Sequence, residues 1–286
     1  MKRILVIIMT LVLCLSISTS SFASESEVNT FNNESYQSTK SQVIRIYTNP
    51  SLKPHLIKRE IVVNNSTSSI APAAATDSYV DVMNYLDFKQ GQSSITMSYK
   101  IVAVSGVAPD TLTIAQTAMY KNSRLGIPST KTTLTATILK PNIKVGKTGL
   151  KSFSVSSSKF WYSSMNVTIT QGRNVGTFYG QTKTFLANSK ATLYPYYKDS
   201  TSGKVMTEPS TTTMSKTTSI KWEKADRAAY IKKYSELYPK NGYKWDDYDI
   251  HHIKPREYGG TNDFNNLIPV PRNFHVYTVN DWWRYY

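Results

Sequence analysis

Three of the chain's four histidines fall within 25 residues near its C-terminal end. His251 and His252 are adjacent and His275 follows them, whereas His55 stands alone beside Pro54. Histidine transfers protons near neutral pH and is the commonest metal ligand in proteins. The cluster therefore predicts acid–base or metal chemistry in this region, and we interpret His55 as a surface residue.

The residues around the cluster predict how these rings are presented. An extended segment that ends in His251 and His252 directs the two side chains to opposite sides, so that one ring can hold a metal while the other faces a substrate. Gly259–Gly260 predicts a turn that reverses the chain, and Pro271 is expected to open a short helix before His275. The sequence thus predicts two strands and a helix around one metal.

The combination of His251–His252, Gly259–Gly260, Asn266–Leu267 and His275 resembles the HNH (ββα-metal) nucleases, including the nuclease domains of bacteriocins and polymorphic toxins. The resemblance covers roughly residues 244–286. It implies that His251 and His275 are metal ligands and that His252 is the general base that activates water. It also implies that Asn266 is catalytic in the sense that it holds the loop and orients the base.

The chain departs from this family at one position. Many bacteriocin members carry a further histidine one helical turn after the last ligand, where this chain has Val279. Other members use two protein ligands and complete the shell with water. A two-ligand site of this kind fits Mg²⁺, which keeps several waters, and Mn²⁺ and Zn²⁺ remain open as alternative cofactors.

Charged residues near the histidines have candidate supporting roles. Lys254, Arg256 and Arg272 are expected to bind the phosphates that flank the bond to be cut. Asp249 is expected to accept a hydrogen bond from the ring N–H of a ligand histidine. The alternative for Asp249 is an exposed carboxylate at the end of a strand.

The N-terminal residues predict export. Lys2 and Arg3 precede an apolar run from Ile4 to Ile17, which is the pattern of a signal peptide over residues 1–23 with cleavage after Ala23. The run is short for a membrane span, so we expect a secreted protein with no membrane span in its mature form. The only cysteine, Cys14, lies inside this run, and the mature chain therefore has no disulfide.

The rest of the chain divides by composition into three parts. Residues 24–76 are polar, with possible short strands at Val43–Tyr47 and Ile61–Val63 and a linker composition over 64–76. Residues 77–210 alternate apolar and polar positions between turn signals, which predicts an antiparallel β-sandwich. Residues 219–286 are the predicted HNH domain. The expected fold class is therefore multidomain α+β.

Between the sandwich and the HNH domain, the Ser- and Thr-rich stretch 201–218 has the composition of a second linker. A run of helix formers from Lys224 to Leu237, ended by Pro239 and Asn241–Gly242, then predicts an amphipathic helix. Because a ββα element alone is too small to bury much apolar surface, this helix and the C-terminal aromatic residues are expected to pack against it.

The positive charge of the chain is concentrated in the predicted sandwich. Residues 77–218 carry 16 Lys and Arg against 6 Asp and Glu, whereas residues 219–286 carry 11 against 9. A basic sandwich can hold a polyanion, either nucleic acid or an anionic cell-wall polymer. The alternative is a set of solvated lysines that keep an exported protein soluble.

These features together predict a secreted, metal-dependent and largely non-specific endonuclease. The resemblance implies DNA as the nucleic-acid partner, with RNA left open. The same residues leave room for a nuclease toxin with an immunity protein, or for hydrolysis of another phosphodiester such as a wall teichoic acid. A further alternative is a non-enzymatic wall-binding or adhesin-like β-protein with a degenerate HNH tail.

Overall fold

The computed structural model describes residues 39–48 and 78–286 of the chain. Within them the strands are β1 (Thr39–Tyr47), β2 (Tyr79–Lys89), β3 (Ser94–Ser105), β4 (Thr111–Lys121), β5 (Ser129–Leu139), β6 (Thr148–Ser154), β7 (Lys159–Gln171), β8 (Asn174–Gln181), β9 (Phe185–Ala187), β10 (Tyr248–His252) and β11 (Leu267–Pro271). The predicted signal peptide, its cleavage site after Ala23, His55, the strand at Ile61–Val63 and the linker over 64–76 lie outside the described residues.

The α-helices lie in the C-terminal part of the described chain. Helix α1 spans Lys224–Leu237, as the sequence predicts. A C-terminal helix is made of three consecutive segments, Arg272–Phe274, His275–Val279 and Asn280–Arg284, the middle one a wider π-helical turn. Short 3-10 turns lie at Lys140–Asn142, Trp245–Asp247, Arg256–Tyr258 and Phe264–Asn266. Among the described residues, no helix is both long and apolar enough to cross a membrane.

Two antiparallel sheets make up most of the described structure. One has the strand order β1-β2-β3-β6, and the other has the order β5-β4-β7-β8 with β9 paired to β7. Strands β3 and β4 alternate buried and partly exposed residues along much of their length. The chain is therefore a β-rich α+β protein, as predicted from the alternating sequence.

Strand β1 extends the β-structure upstream of the boundary that the sequence indicates at residue 77. It pairs with β2 along its whole length, from Thr39 opposite Asp87 to Tyr47 opposite Tyr79. Val43, Ile44 and Ile46 of β1 are buried. The strand predicted at Val43–Tyr47 is confirmed and is longer than expected, so residues 39–47 belong with the sandwich strands rather than with a polar N-terminal region.

The space between the two sheets is filled by two apolar clusters and a polar bridge. One cluster includes Ile101 and Val167, and the other includes Phe88 and Trp161. Near the middle, the buried Gln116 donates from Nε2 to Asn84 Oδ1 at 2.8 Å, and Asn84 Nδ2 donates to the carbonyl of Ser163 at 3.2 Å. The amide nitrogens of both residues thus have partners across the interior, as buried polar groups require, while Gln116 Oε1 has none among the described residues.

The C-terminal part is a two-stranded hairpin followed by the C-terminal helix. Strands β10 and β11 are antiparallel, with Tyr248 opposite Pro271 and His252 opposite Leu267. Helix α1 packs on the hairpin through Tyr230 and Tyr234, which form a cluster with Ile250 and Leu267. These contacts supply the additional apolar surface that the small hairpin needs.

The stretch 201–218, predicted as a linker, is packed into the structure. Met206 is buried in a cluster that also contains Phe160 of β7, Ile268 of β11 and Trp282 of the C-terminal helix. Asn122 accepts a backbone hydrogen bond from Thr212 at 2.7 Å. The Ser- and Thr-rich composition predicted a linker. The buried Met206 and the paired backbone instead make this stretch part of the contact between the sandwich strands and the C-terminal hairpin and helix.

Candidate metal and catalytic site

The hairpin presents the two adjacent histidines on opposite sides of β10. His251 lies opposite Ile268 and His252 opposite Leu267 in the paired register. Both are buried, with 5% and 8% of their surface exposed. Because side chains alternate along a strand, His251 shares the side of Asp249, while His252 faces the loop that follows β10.

The C-terminal helix brings His275 against His251. The Nδ1 atom of His251 and the Nε2 atom of His275 are 3.1 Å apart. On the far side of its ring, His275 Nδ1 lies 3.0 Å from Asp249 Oδ2. The Asp249 carboxylate can only accept when ionised, so His275 donates from Nδ1 and directs the lone pair of Nε2 toward His251.

These two rings fit a shared divalent ion. Two nitrogens that bind one ion at about 2.1 Å and near a right angle lie about 3 Å apart, which matches the distance between His251 Nδ1 and His275 Nε2. Burial, reinforced by His275 and His252, lowers the pKa of His251 to about 3. His251 is therefore neutral near pH 7, the form in which imidazole binds metals. A hydrogen bond donated by a ligand ring to a carboxylate, as His275 donates to Asp249, is the arrangement that orients such ligands.

The described residues contain no group of three His, Cys, Asp or Glu side chains arranged to hold a metal. An ion held by His251 and His275 alone would take water at its remaining positions, as the resemblance to two-ligand members implies. Val279, where many bacteriocin nucleases have a histidine, is fully buried among apolar residues. It belongs to the interior and faces away from the cleft.

The π-helical turn changes which residue follows His275 on the cleft side. The backbone N–H of Asn280 bonds to the carbonyl of His275, five residues back. Asn280 and His275 both line the cleft, and Val279 does not. In a regular α-helix, residue 279 would lie one turn after His275 on the same face. The π-helical turn contains one extra residue, so Asn280 takes this position instead. Sequence counting by 3.6 residues misses Asn280, since nothing in the composition indicates a π turn here.

His252 is held by contacts that are separate from the His251–His275 pair. Its Nε2 atom lies 2.9 Å from Asn262 Oδ1, and its ring meets the ring of Trp222 edge to face, with centroids 4.8 Å apart. Burial lowers the pKa of His252. The hydrogen bond to Asn262 raises this pKa and so opposes the effect of burial in part, whereas the charge of Arg256 lowers it further. A neutral imidazole near pH 7 is able to accept a proton.

Asn266 fixes the loop that connects the two strands, as the resemblance implies. Its Oδ1 accepts from the backbone N–H of Lys254 at 2.9 Å, and its Nδ2 donates to the carbonyls of Lys254 at 3.1 Å and Thr261 at 2.8 Å. The loop passes through Gly260, where an added Cβ would lie 1.7 Å from the carbonyl oxygen of Lys254. Close approach of the backbone therefore requires glycine at this position.

The three predicted phosphate-binding residues differ in placement. Arg256 and Arg272 line the cleft beside the histidines, whereas Lys254 does not. Arg256 Nη1 donates to the carbonyl of Ile220 at 2.8 Å, and Arg272 Nε contacts Asp249 Oδ1 at 3.3 Å. The exposed Lys254 side chain points toward Gly259, so its predicted contact with substrate finds no support in this arrangement.

The cleft has a volume of about 990 Å³ and is rich in cationic side chains. Its charged lining consists of Lys216, Arg227, Arg256, Arg272, Arg284, Asp249 and Glu257. Lys216 pairs with Glu257, Arg272 with Asp249 and Arg284 with the nearby Asp281. The excess of cations that remains gives the cleft a net positive charge, which attracts polyanions. Lys216 and Arg284 are further cleft residues that the sequence did not indicate. Lys216 lies far from the histidines along the chain, and Arg284 stands in the aromatic C-terminal segment, which predicts packing. Arg227 instead ties α1 to the strand, through bonds to the carbonyls of Trp245 and Tyr248.

Comparison with known proteins adds no relative. No family model matches the chain, and neither a curated protein nor a solved structure matches it.

Proposed function

We propose that this protein is a divalent-metal-dependent endonuclease of the HNH type. It hydrolyses phosphodiester bonds of nucleic acid, and the proposed substrate is DNA ahead of RNA. The observation that carries the proposal is the arrangement of three histidines around one hairpin. His251 and His275 face each other at 3.1 Å between Nδ1 and Nε2, and His252 stands next to them on the other side of the strand.

His252 supplies the general base in this proposal. It takes a proton from a water molecule whose oxygen attacks the phosphorus, the bond from phosphorus to the 3′-oxygen breaks, and that oxygen is protonated from solvent. A divalent ion on His251 and His275 would supply Lewis-acid polarisation of the phosphate and neutralise the leaving oxygen. The low pKa of His251 keeps this residue available as a neutral ligand at the same pH.

The cationic cleft supports a polymeric anion as substrate. Arg272 and Arg256 flank the histidines and can contact phosphates on either side of the cut bond, and Arg284 extends the positive lining along the C-terminal helix. Contacts of this kind neutralise phosphates without reading the bases. We therefore propose cleavage with little sequence preference.

A plasmid assay tests the proposal. The mature chain, residues 24–286, is incubated with plasmid, linear duplex, single-stranded DNA and RNA in Mg²⁺, Mn²⁺, Zn²⁺ or EDTA. We expect degradation that needs a metal and is lost in EDTA. His252→Ala should lower the activity by about 10²-fold or more. Asn273→Ala, at an exposed position near the site, should keep wild-type activity. Intact DNA and RNA in every lane, with folded protein, would rule the nuclease out. A wall-binding protein would then become the better account, with sedimentation on isolated cell walls as its test.

A further inference from the structure

The contacts of His252 identify a residue that neither the motif nor the charge pattern indicates. Asn262 follows the Gly259–Gly260 turn, is half-buried and lies beside His252. We propose that Asn262 is a positioning residue that fixes the ring tautomer of His252 and so makes Nδ1 the proton-accepting atom. The use of Nδ1 in hydrolysis rests on the proposed function, whereas the tautomer is a property of the fold.

The orientation of the Asn262 amide is fixed by a backbone group. Asn262 Nδ2 lies 2.9 Å from the carbonyl oxygen of Lys221. A carbonyl oxygen only accepts hydrogen bonds, so the amide nitrogen must face Lys221. The amide oxygen Oδ1 therefore faces His252, and the opposite orientation would set oxygen against oxygen.

This orientation determines the tautomer of His252. The Nε2 atom of His252 is 2.9 Å from Asn262 Oδ1, which can only accept. Nε2 must therefore carry the hydrogen, and in a neutral imidazole the other nitrogen, Nδ1, then holds the lone pair. The ring is thus presented with a base at Nδ1 and a donor at Nε2.

Three consecutive residues before α1 hold this arrangement, and we refer to Ile220–Trp222 as the strap. The carbonyl of Ile220 accepts from Arg256 Nη1 at 2.8 Å, and the carbonyl of Lys221 accepts from Asn262. Trp222 covers the ring of His252 edge to face. The strap therefore contacts the base, its hydrogen-bond partner and a cation of the cleft.

A hydrogen bond at Nε2 has a clear purpose in this site. An imidazole without it is free to exchange the proton between its two nitrogens and to rotate about χ2, and both changes remove the lone pair from the direction of the reacting water. The partner of a ring nitrogen generally decides which tautomer is present. Asn262 is a neutral partner, so it orients the ring without adding a charge next to the cleft.

Nuclear magnetic resonance on full-length mature protein with ¹⁵N-labelled histidine tests the proposal without any substrate. Spectra are taken at about pH 8, above the ordinary histidine pKa of about 6.5. In the wild type we expect His252 Nε2 to show the shift of a protonated nitrogen with a slowly exchanging proton, and Nδ1 the shift of an unprotonated one. A wild-type His252 with its proton on Nδ1, or with both tautomers mixed, would overturn the proposal.

Two variants test whether Asn262 is the cause. Asn262→Ala should lose the slowly exchanging Nε2 proton. Asn262→Asp loses the bond to the Lys221 carbonyl but keeps an acceptor for His252, and it should retain that proton. The matched control is Asn265→Ala, an exposed amide three residues away. Unchanged protection of the Nε2 proton in Asn262→Ala would assign that proton to the fold as a whole and refute a role for Asn262. The Asp variant keeps the test valid where the Ala variant fails to fold.

Kinetics separate this inference from the proposed function. With DNA cleavage established, Asn262→Ala should lower kcat by about 10- to 100-fold with little change in KM, as loss of an orienting partner does, and Asn262→Asp should recover most of it. Equal loss in both variants, with the ring resonance intact, would contradict the positioning role. A wild type that cleaves neither DNA nor RNA would refute the proposed function, while the resonance experiment would still decide the tautomer.

Discussion

Asp249 Oδ2 and His275 Nδ1 are joined by a hydrogen bond of 3.0 Å between residues that are 26 positions apart in the chain. The hairpin creates this relationship. Asp249 and His251 are two residues apart on β10 and share one side of the strand, and the C-terminal helix starts directly after β11 and returns His275 to that side. The carboxylate thus orients the helix histidine toward the strand histidine.

Removing this carboxylate should weaken metal binding more than it weakens the fold. In Asp249→Ala, His275 loses the partner that directs its Nε2 lone pair toward His251, and we expect the affinity for Mn²⁺ to fall by about 10- to 100-fold. Calorimetric titration of the mature protein measures this. Asp246→Ala removes an exposed carboxylate of the same segment and should bind as the wild type does. Equal affinities in the two variants would exclude the orienting role of Asp249.

The loop between the strands should be intolerant of a single methyl group at Gly260. An alanine there would bring its Cβ to 1.7 Å from the carbonyl oxygen of Lys254 and to 3.0 Å from Asn266 Nδ2. The loop must then open, and the hydrogen bonds of Asn266 to Lys254 are lost. We expect Gly260→Ala to abolish cleavage and to lower the free energy of unfolding by about 2–3 kcal/mol, since two hydrogen bonds of ordinary strength are lost when the loop opens.

Gly259→Ala is the matched comparison for that variant. Gly259 has a φ of +81°, and an added Cβ would meet its nearest atoms at ordinary contact distances of 3.6 and 3.8 Å. Its replacement should cost only the left-handed backbone strain of about 1–2 kcal/mol and should leave measurable activity. Denaturant titrations that rank the two variants in the opposite order would contradict the steric explanation.

The structure brings together residues that the sequence singled out in the C-terminal part, because the information that places them is local. A five-residue strand, a glycine turn and a second strand place His251, His252 and Asn266 through short-range geometry alone. The same reasoning missed Asn262, whose proposed role depends on the carbonyl of Lys221 some forty residues upstream. It also missed Asn280, because a π turn leaves no compositional signal.

The sandwich was predicted best where one face of a strand is apolar and the other polar. Strand β3 has that pattern. Strand β2 lacks simple alternation, since it buries the charged Asp81 and the polar Asn84. Asp81 is paired with Arg45 of β1 at 2.8 Å. That partner lies 36 residues earlier, and no local pattern reveals it.

Two histidine substitutions should show whether residue 279 or residue 280 lies on the cleft side, one helical turn after His275. Val279→His places a polar ring in the apolar interior and should lower the free energy of unfolding by about 1–3 kcal/mol without any gain in metal affinity. Asn280→His places the ring in the cleft and should raise the affinity for Zn²⁺, because a third imidazole completes a ligand set that Zn²⁺ favours. Thermal unfolding and Zn²⁺ titration of both variants measure this. Tighter Zn²⁺ binding by Val279→His would mean that the helix turn is a regular α-helix.

The hairpin and its helices should depend on the preceding part of the chain for their stability. Asp199 tests this, because it accepts hydrogen bonds from the C-terminal part. Asp199 is fully buried and accepts hydrogen bonds from Tyr243 and, at 2.6 Å, from Tyr234 of α1. Lys204, at the other end of the same short loop, donates to the carbonyls of Phe264 and Leu267 at 2.7 and 2.9 Å. This loop thus satisfies polar groups that α1, β11 and the segment before it would otherwise leave unpaired.

Asp199→Ala should therefore lower the free energy of unfolding of the C-terminal part by about 3 kcal/mol or more, because two tyrosine hydroxyls lose a charged partner inside the protein. Tryptophan fluorescence follows this region, since Trp222, Trp245, Trp282 and Trp283 lie in it and only Trp161 lies in the sandwich. Asp247→Ala, at an exposed site, should leave the transition unchanged.

The fragment 219–286 made alone should lack a cooperative transition, because it loses Asp199, Lys204 and the apolar surface of Met206 together. A fragment that unfolds cooperatively and binds metal as the full chain does would show that the hairpin needs no support from the sandwich.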